Sequence, residues 1–129
     1  MQRITVVLFL IAALAALSLG CNRSDSGNLT GSWTRTVTNN STQFDAMITF
    51  EYDGTFLFEP LEETAGHNDT PGQYEISGEN VTFTDDECGN SGIYSFAITD
   101  NRLSLTPDND LCDHRSSALS GTWDRVEIQ

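Results

Sequence analysis

Lysine is missing from this 129-residue chain, so six arginines alone face nineteen carboxylates, for a formal net charge of −13. A surface of that sign repels phosphate backbones and speaks against nucleic acid as a partner. Anionic membrane surfaces repel it for the same reason. What the charge does attract is cations: organic ones, or Ca²⁺ held by the clusters Asp85, Asp86 and Glu87 or Asp108 and Asp110, though neither follows the EF-hand order. A plain solvated surface suited to a saline habitat explains the same composition. There is no nucleophile elbow, His-x-x-x-His pair or glycine-rich phosphate loop. The reading is therefore of a non-enzyme that requires no metal or cofactor. Apolar residues at helical period are absent beyond the first twenty positions, which argues against a helical domain.

The first twenty positions are different. After Met1, Gln2 and Arg3 the chain runs from Val6 to Leu17 without a polar residue and reaches Ser18 and Gly20 before Cys21. Twelve unbroken apolar residues fall short of the roughly 20 that span a bilayer core, and the layout is that of a cleaved secretory signal. Leu17, Ser18, Leu19, Gly20 and Cys21 resemble the lipobox of bacterial lipoproteins, with Ser18 standing where Leu is usual. The resemblance implies removal of residues 1–20 and acylation of Cys21, palmitate-like chains then anchoring the protein in the membrane of the cell envelope. An ordinary signal cut nearby would instead leave Cys21 a free thiol. Asn22 follows the anchor, and Asp there favours inner-membrane retention in enterobacterial lipoproteins, so the expectation leans to the outer membrane. Residues 21–28 read as lipidated cysteine and flexible tether, and 29–129 as one domain.

Once Cys21 is lipidated, Cys88 and Cys112 remain, and an oxidising compartment makes a disulfide the expected state. Closing that loop of about 25 residues is worth roughly 3 to 3.5 kcal/mol in the chain-entropy view. Zinc on Cys88, Cys112 and His114 would lack a fourth ligand and the usual paired spacing. His67 and His114 read as solvated loop residues.

Within the domain, short runs alternate apolar and polar residues. Gln43 to Tyr52 places Phe44, Ala46, Ile48, Phe50 and Tyr52 on one face. Asp53 and Gly54 then turn the chain into Thr55 to Glu59, with Phe56 and Phe58 in phase. Gly72 to Ser77 carries Tyr74 and Ile76 inward, Val81 to Thr84 carries Val81 and Phe83, and Ile93 to Thr99 carries Tyr94, Phe96 and Ile98. Arg102 to Thr106, Gly121 to Ile128 and a first strand at Gly31 to Thr38 complete a set of eight. Leu61 to Pro71, Asp85 to Gly92 and Pro107 to Ser117 read as loops. Such a pattern predicts an all-β, antiparallel up-and-down barrel, which removes exposed edges by closing on itself.

One repeat bears on closure. Leu29, Gly31, Trp33 and Arg35 recur as Leu119, Gly121, Trp123 and Arg125. First and last strands are neighbours in a closed meander, so the two tryptophans are expected to pack together at one barrel end with guanidinium groups over the rings. Gly31 and Trp33, Asp53-Gly54-Thr55-Phe56, and the Gly-x-Tyr steps at Gly72 to Tyr74 and Gly92 to Tyr94 look like bacterial lipocalin-like domains of the calycin type. Asp110, Cys112 and Arg115 followed by Trp123 and Arg125 are similar to the C-terminal end of small secreted domains of that kind. The resemblance implies a closed barrel with Trp33 plugging one end and Arg125 or Arg115 packed on it.

Lipocalins bind small apolar molecules inside the barrel, so the resemblance implies a ligand lined by Phe44, Phe50, Phe56, Phe58, Tyr74, Phe83, Tyr94 and Phe96. Those same rings are large enough to fill an eight-stranded interior. The other reading is a protein-interaction or inhibitor module of the envelope, working through loops held by the Cys88 to Cys112 bridge.

Overall fold

A computed structural model describes residues 28–62 and 68–127. The signal segment, Cys21 and His67 lie outside the described residues. Eight antiparallel strands form a closed barrel in chain order: β1 (Gly31–Asn39), β2 (Thr42–Phe50), β3 (Thr55–Pro60), β4 (Thr70–Ser77), β5 (Asn80–Asp85), β6 (Gly92–Thr99), β7 (Arg102–Asn109) and β8 (Gly121–Arg125). Helix α1 (Asp113–Leu119) joins the last two.

Period-two burial builds the core. Phe44, Ala46, Ile48 and Phe50 of β2, Phe56 and Phe58 of β3, Val81 and Phe83 of β5, Tyr94 and Phe96 of β6 and Leu103 and Leu105 of β7 all point inward. Between β1 and β2 the central turn residues Asn40 and Ser41 both have positive φ, and between β6 and β7 so do Asp100 and Asn101. Two-residue turns of that hand match the right-handed twist of the strands they join. At the β2 to β3 turn, Asp53 Oδ1 accepts from the Thr55 amide at 3.0 Å and Gly54 takes φ +86°.

Three sequence expectations need correction. Tyr52 is 91% exposed, because β2 ends at Phe50 and the Glu51 amide already bonds the Thr55 carbonyl to close the turn. The segment expected as a loop from Pro107 to Ser117 begins inside β7, where Pro107 pairs with Tyr94 beside a register shift at Ile93/Tyr94, and continues into α1. Proline has no amide hydrogen to give a ladder, so an irregular site suits it. The last strand stops at Arg125, and Ile128, where it was expected to end, lies outside the described residues.

The β1–β8 seam closes the barrel through the repeat. Trp33 stands opposite Arg125, and two residues further along Arg35 meets Trp123. The Arg125 guanidinium lies 4.1 Å from the Trp33 ring centre and that of Arg35 lies 5.4 Å from Trp123. Each indole N–H donates to the carbonyl four residues back in its own copy, Trp33 to Leu29 at 2.8 Å and Trp123 to Leu119 at 3.0 Å. Each arginine also donates to the opposite copy, Arg35 to the Ser120 carbonyl and Arg125 to those of Thr30 and Asn28. The result is a reciprocal clasp along the seam, with a guanidinium over each tryptophan ring. Both Leu29 and Leu119 are buried beneath it.

Gly31 and Gly121 take φ of +118° and +127°, and a Cβ on Gly121 would sit 2.9 Å from Arg35 Nη1. Replacing Gly121 with alanine therefore adds backbone strain to a collision with the clasp. We expect Gly121→Ala to lower the unfolding free energy by roughly 1 to 3 kcal/mol. Gly78 has open space around it, so Gly78→Ala, a simple left-handed turn position, should cost less, about 1 kcal/mol. Chemical denaturation of the two variants side by side gives the comparison, and equal losses would contradict the clasp's role.

Candidate functional site

Strand direction alternates, so the β1–β2, β3–β4 and β5–β6 connections share one end of the barrel with α1. The other three tight turns and Asn28 occupy the opposite end. The chemistry gathers at the α1 end.

Arg115 sits on α1 with 4% of its side chain exposed. Its Nη1 donates to Asp85 Oδ2 at 3.0 Å, while Nε and Nη2 donate to the two oxygens of Asp110 at 2.8 and 2.7 Å. This bidentate fork is the strong form of the guanidinium–carboxylate pair. Asp110 also accepts from the Tyr94 hydroxyl and from the Cys112 amide at 2.9 Å. Asp85 Oδ1 accepts from the amides of Glu87 and Cys88. The acidic groups that the sequence offered as Ca²⁺ ligands are thus partly committed to a guanidinium. Gly92 is required beside them, since a Cβ there would overlap Asp110.

These contacts move the ionisations. Burial would raise the Asp110 carboxyl, but the Arg115 guanidinium, the Tyr94 hydroxyl and the Cys112 amide together hold it below the ordinary aspartate value. The Tyr94 phenol is pushed well above its ordinary value, first by burial and then because its hydrogen bond and neighbouring charge belong to Asp110. Arg115 is raised further, chiefly by the bonds to Asp110.

Cys88 and Cys112 are bonded to one another, with Cα atoms 6.1 Å apart, and tie the β5–β6 connection to the start of α1. Cys112 is also the cap of that helix, its sulfur accepting from the Arg115 amide. Bridge, cap and ion triad converge on the same few residues. A helix of seven residues is too short to hold itself in water and depends on such tertiary anchors.

Of the eight rings proposed to line a ligand, seven are buried and Tyr74 is half-buried. Many of them lock together. Phe50 contacts Phe56, Tyr74 and Phe83, and Phe83 meets Phe56 and Tyr94 edge to face at 5.4 and 5.2 Å. Offset and edge-on packing at such distances holds these rings against one another. Only Phe56 and Phe58 border the cleft that opens beneath α1. That cleft has a volume of about 160 Å³. Ala118 and Leu119 of α1 complete its apolar side, and Asp85, Glu87, His114 and Arg115 form a polar side.

Sequence reasoning placed Arg115 over Trp33 as an alternative to Arg125. The structure gives that place to Arg125 and sends Arg115 to the α1 end. The signal for it was faint: Arg115 and Leu119 stand four apart and both are buried, but only one of the two is apolar. No protein-family model matches the chain, and no curated protein matches it.

Removing the guanidinium leaves two buried carboxylates without a counterion. Arg115→Met is expected to cost about 3 to 5 kcal/mol of stability, read by chemical denaturation. The depressed Asp110 carboxyl contributes stability that is complete above the unfolded aspartate value, about 4, and is lost as pH falls through the lower folded value. Denaturation midpoints should therefore drop on acidification below about 4, and the drop should be shallower in Asp110→Asn. An identical acid limb in that variant would remove Asp110 from the account.

Proposed function

We propose that this chain is a lipid-anchored envelope protein whose lipocalin-like barrel binds a small apolar group in the cleft beneath α1, and not in the barrel interior. The observation that carries this reading is the contrast between interlocked rings inside and the cleft of about 160 Å³ at the α1 end. Drug-sized ligands occupy roughly 300 to 1,000 Å³. A dry cavity of about 150 Å³ takes a molecule the size of benzene, so the group received here is one ring or a short branched chain.

The position of the cleft agrees with a membrane tether. A lipid on Cys21 joins the domain through a few residues that lead to Asn28, at the barrel end opposite α1. The cleft then faces away from the bilayer, accessible to a diffusing ligand. Asn22 beside the anchor favours the outer membrane as its location.

A second reading, a protein-facing or inhibitory module of the envelope, draws on apolar side chains at the same end: Leu61 and Leu111 are 52% and 80% exposed. Either role is one of binding, with no reaction catalysed and no nucleic acid involved.

Anchoring is tested with Cys21→Ser, which should move the protein from the membrane fraction to the soluble one. Mass spectrometry of the wild-type N-terminal peptide should find acyl chains on Cys21, and an unmodified thiol would end the lipoprotein reading. Ligand capture is tested by mass spectrometry of compounds that co-purify with wild type and with Ala118→Phe, whose ring occupies the cleft. A small apolar compound recovered from wild type alone is the expected outcome. Equal recovery of a long-chain lipid from both would place the ligand elsewhere.

A further inference from the structure

The charge of the ligand's head can be read from the polar side of the cleft, on the premise that the cleft is a binding site. An anionic head would need unoccupied donors. Arg115, the obvious one, has its Nε, Nη1 and Nη2 already engaged with Asp110 and Asp85. With two carboxylates on one guanidinium the triad is itself net negative. His114, the other group able to carry positive charge, stands 3.6 Å from Glu87 Oε2. What remains for an anion are the neutral Asn68 and Thr70, and the Thr70 hydroxyl already donates to the Asn68 carbonyl at 3.5 Å.

Acceptors are better supplied. The Glu87 side chain is 46% exposed at the cleft rim, and beyond the oxygen facing His114 its carboxylate has lone pairs for a second donor. The field of the whole chain has the same sign, with nineteen carboxylates and no lysine. Such a field concentrates cations in a concave site with apolar walls. Phe56 and Phe58 supply the apolar wall for the rest of such a ligand.

We infer that the cleft selects small cationic amphiphiles, with an ammonium head at the Glu87 rim and a single ring or short branched chain against Phe56, Phe58, Ala118 and Leu119, and that it rejects anions.

Three probes of one size and different charge test this: phenethylamine as the cation, phenethyl alcohol as the neutral analogue and phenylacetate as the anion. The full lipidated chain is held in phosphatidylcholine nanodiscs, with empty nanodiscs subtracted, and binding is followed by saturation-transfer NMR titration. The amine should bind about tenfold more tightly than the alcohol, and phenylacetate more weakly than either. Ala118→Phe should abolish binding of all three. Glu87→Gln, an exposed substitution that spares the core, should shrink the amine-to-alcohol ratio several-fold. If the alcohol binds and the amine binds no better, or if phenylacetate matches the amine, charge selection is overturned while the cleft remains a site. If none of the three binds the wild-type chain, the cleft reading falls as well.

Discussion

Closure of the barrel rests on two arginines, each laid over the tryptophan of the opposite strand. Without that clasp β1 and β8 would meet through a short run of backbone pairing, with Trp33 facing Arg125 and Thr34 facing Asp124. With it, the seam gains two buried indoles, two cation–ring contacts from half-buried arginines and hydrogen bonds from each guanidinium to the carbonyls of the other copy. A cation over a tryptophan face is worth about 0.5 to 1 kcal/mol where water still reaches it and about 2 kcal/mol where it does not. Burial also pulls the Arg35 guanidinium below its ordinary value, the mark of a charge that has given up solvent. Gly121 follows from the same contact, since Arg35 passes where a side chain would stand, while Gly31 is called for by its positive φ.

At the α1 end a different economy of contacts operates. A short helix is held by its covalent bridge, its cap and a guanidinium shared between Asp85 and Asp110. Pairs of this kind cost desolvation of both partners, and their net contribution to stability is modest. Their geometric demand is strong. Arg115 fits only if Gly92 leaves room, Tyr94 turns its hydroxyl to Asp110, and Cys112 sits at the helix start. The cleft is a by-product of that arrangement, a gap left where α1 rests over Phe56 and Phe58 without filling the space between them.

Much of this was legible in the residues. Strict alternation at Phe44, Ala46, Ile48 and Phe50, and the turn residues at Asp53-Gly54 and Asp100-Asn101, announce a meander because burial on one face has period two. The same rule misplaced Tyr52, whose alternation continues past the last paired residue into the turn. The repeat was visible, but the exchange of arginines across it was not, since that depends on the register of strands far apart in the chain. Arg115 was hardest to read. Resemblance offered it a place on Trp33, but its burial follows from carboxylates 30 and 5 positions away. A cleft bounded by a rim helix has no signature in local pattern at all.

The clasp joins groups 85 and 95 residues apart. Contacts of such span form late, because the chain must first close a long loop to reach them. Until the final strand arrives, β1 and β7 are bare edges, each a template for pairing with another molecule. The barrel is therefore a structure that is sealed by its last segment, and the interval before sealing is when this chain is most exposed to self-association.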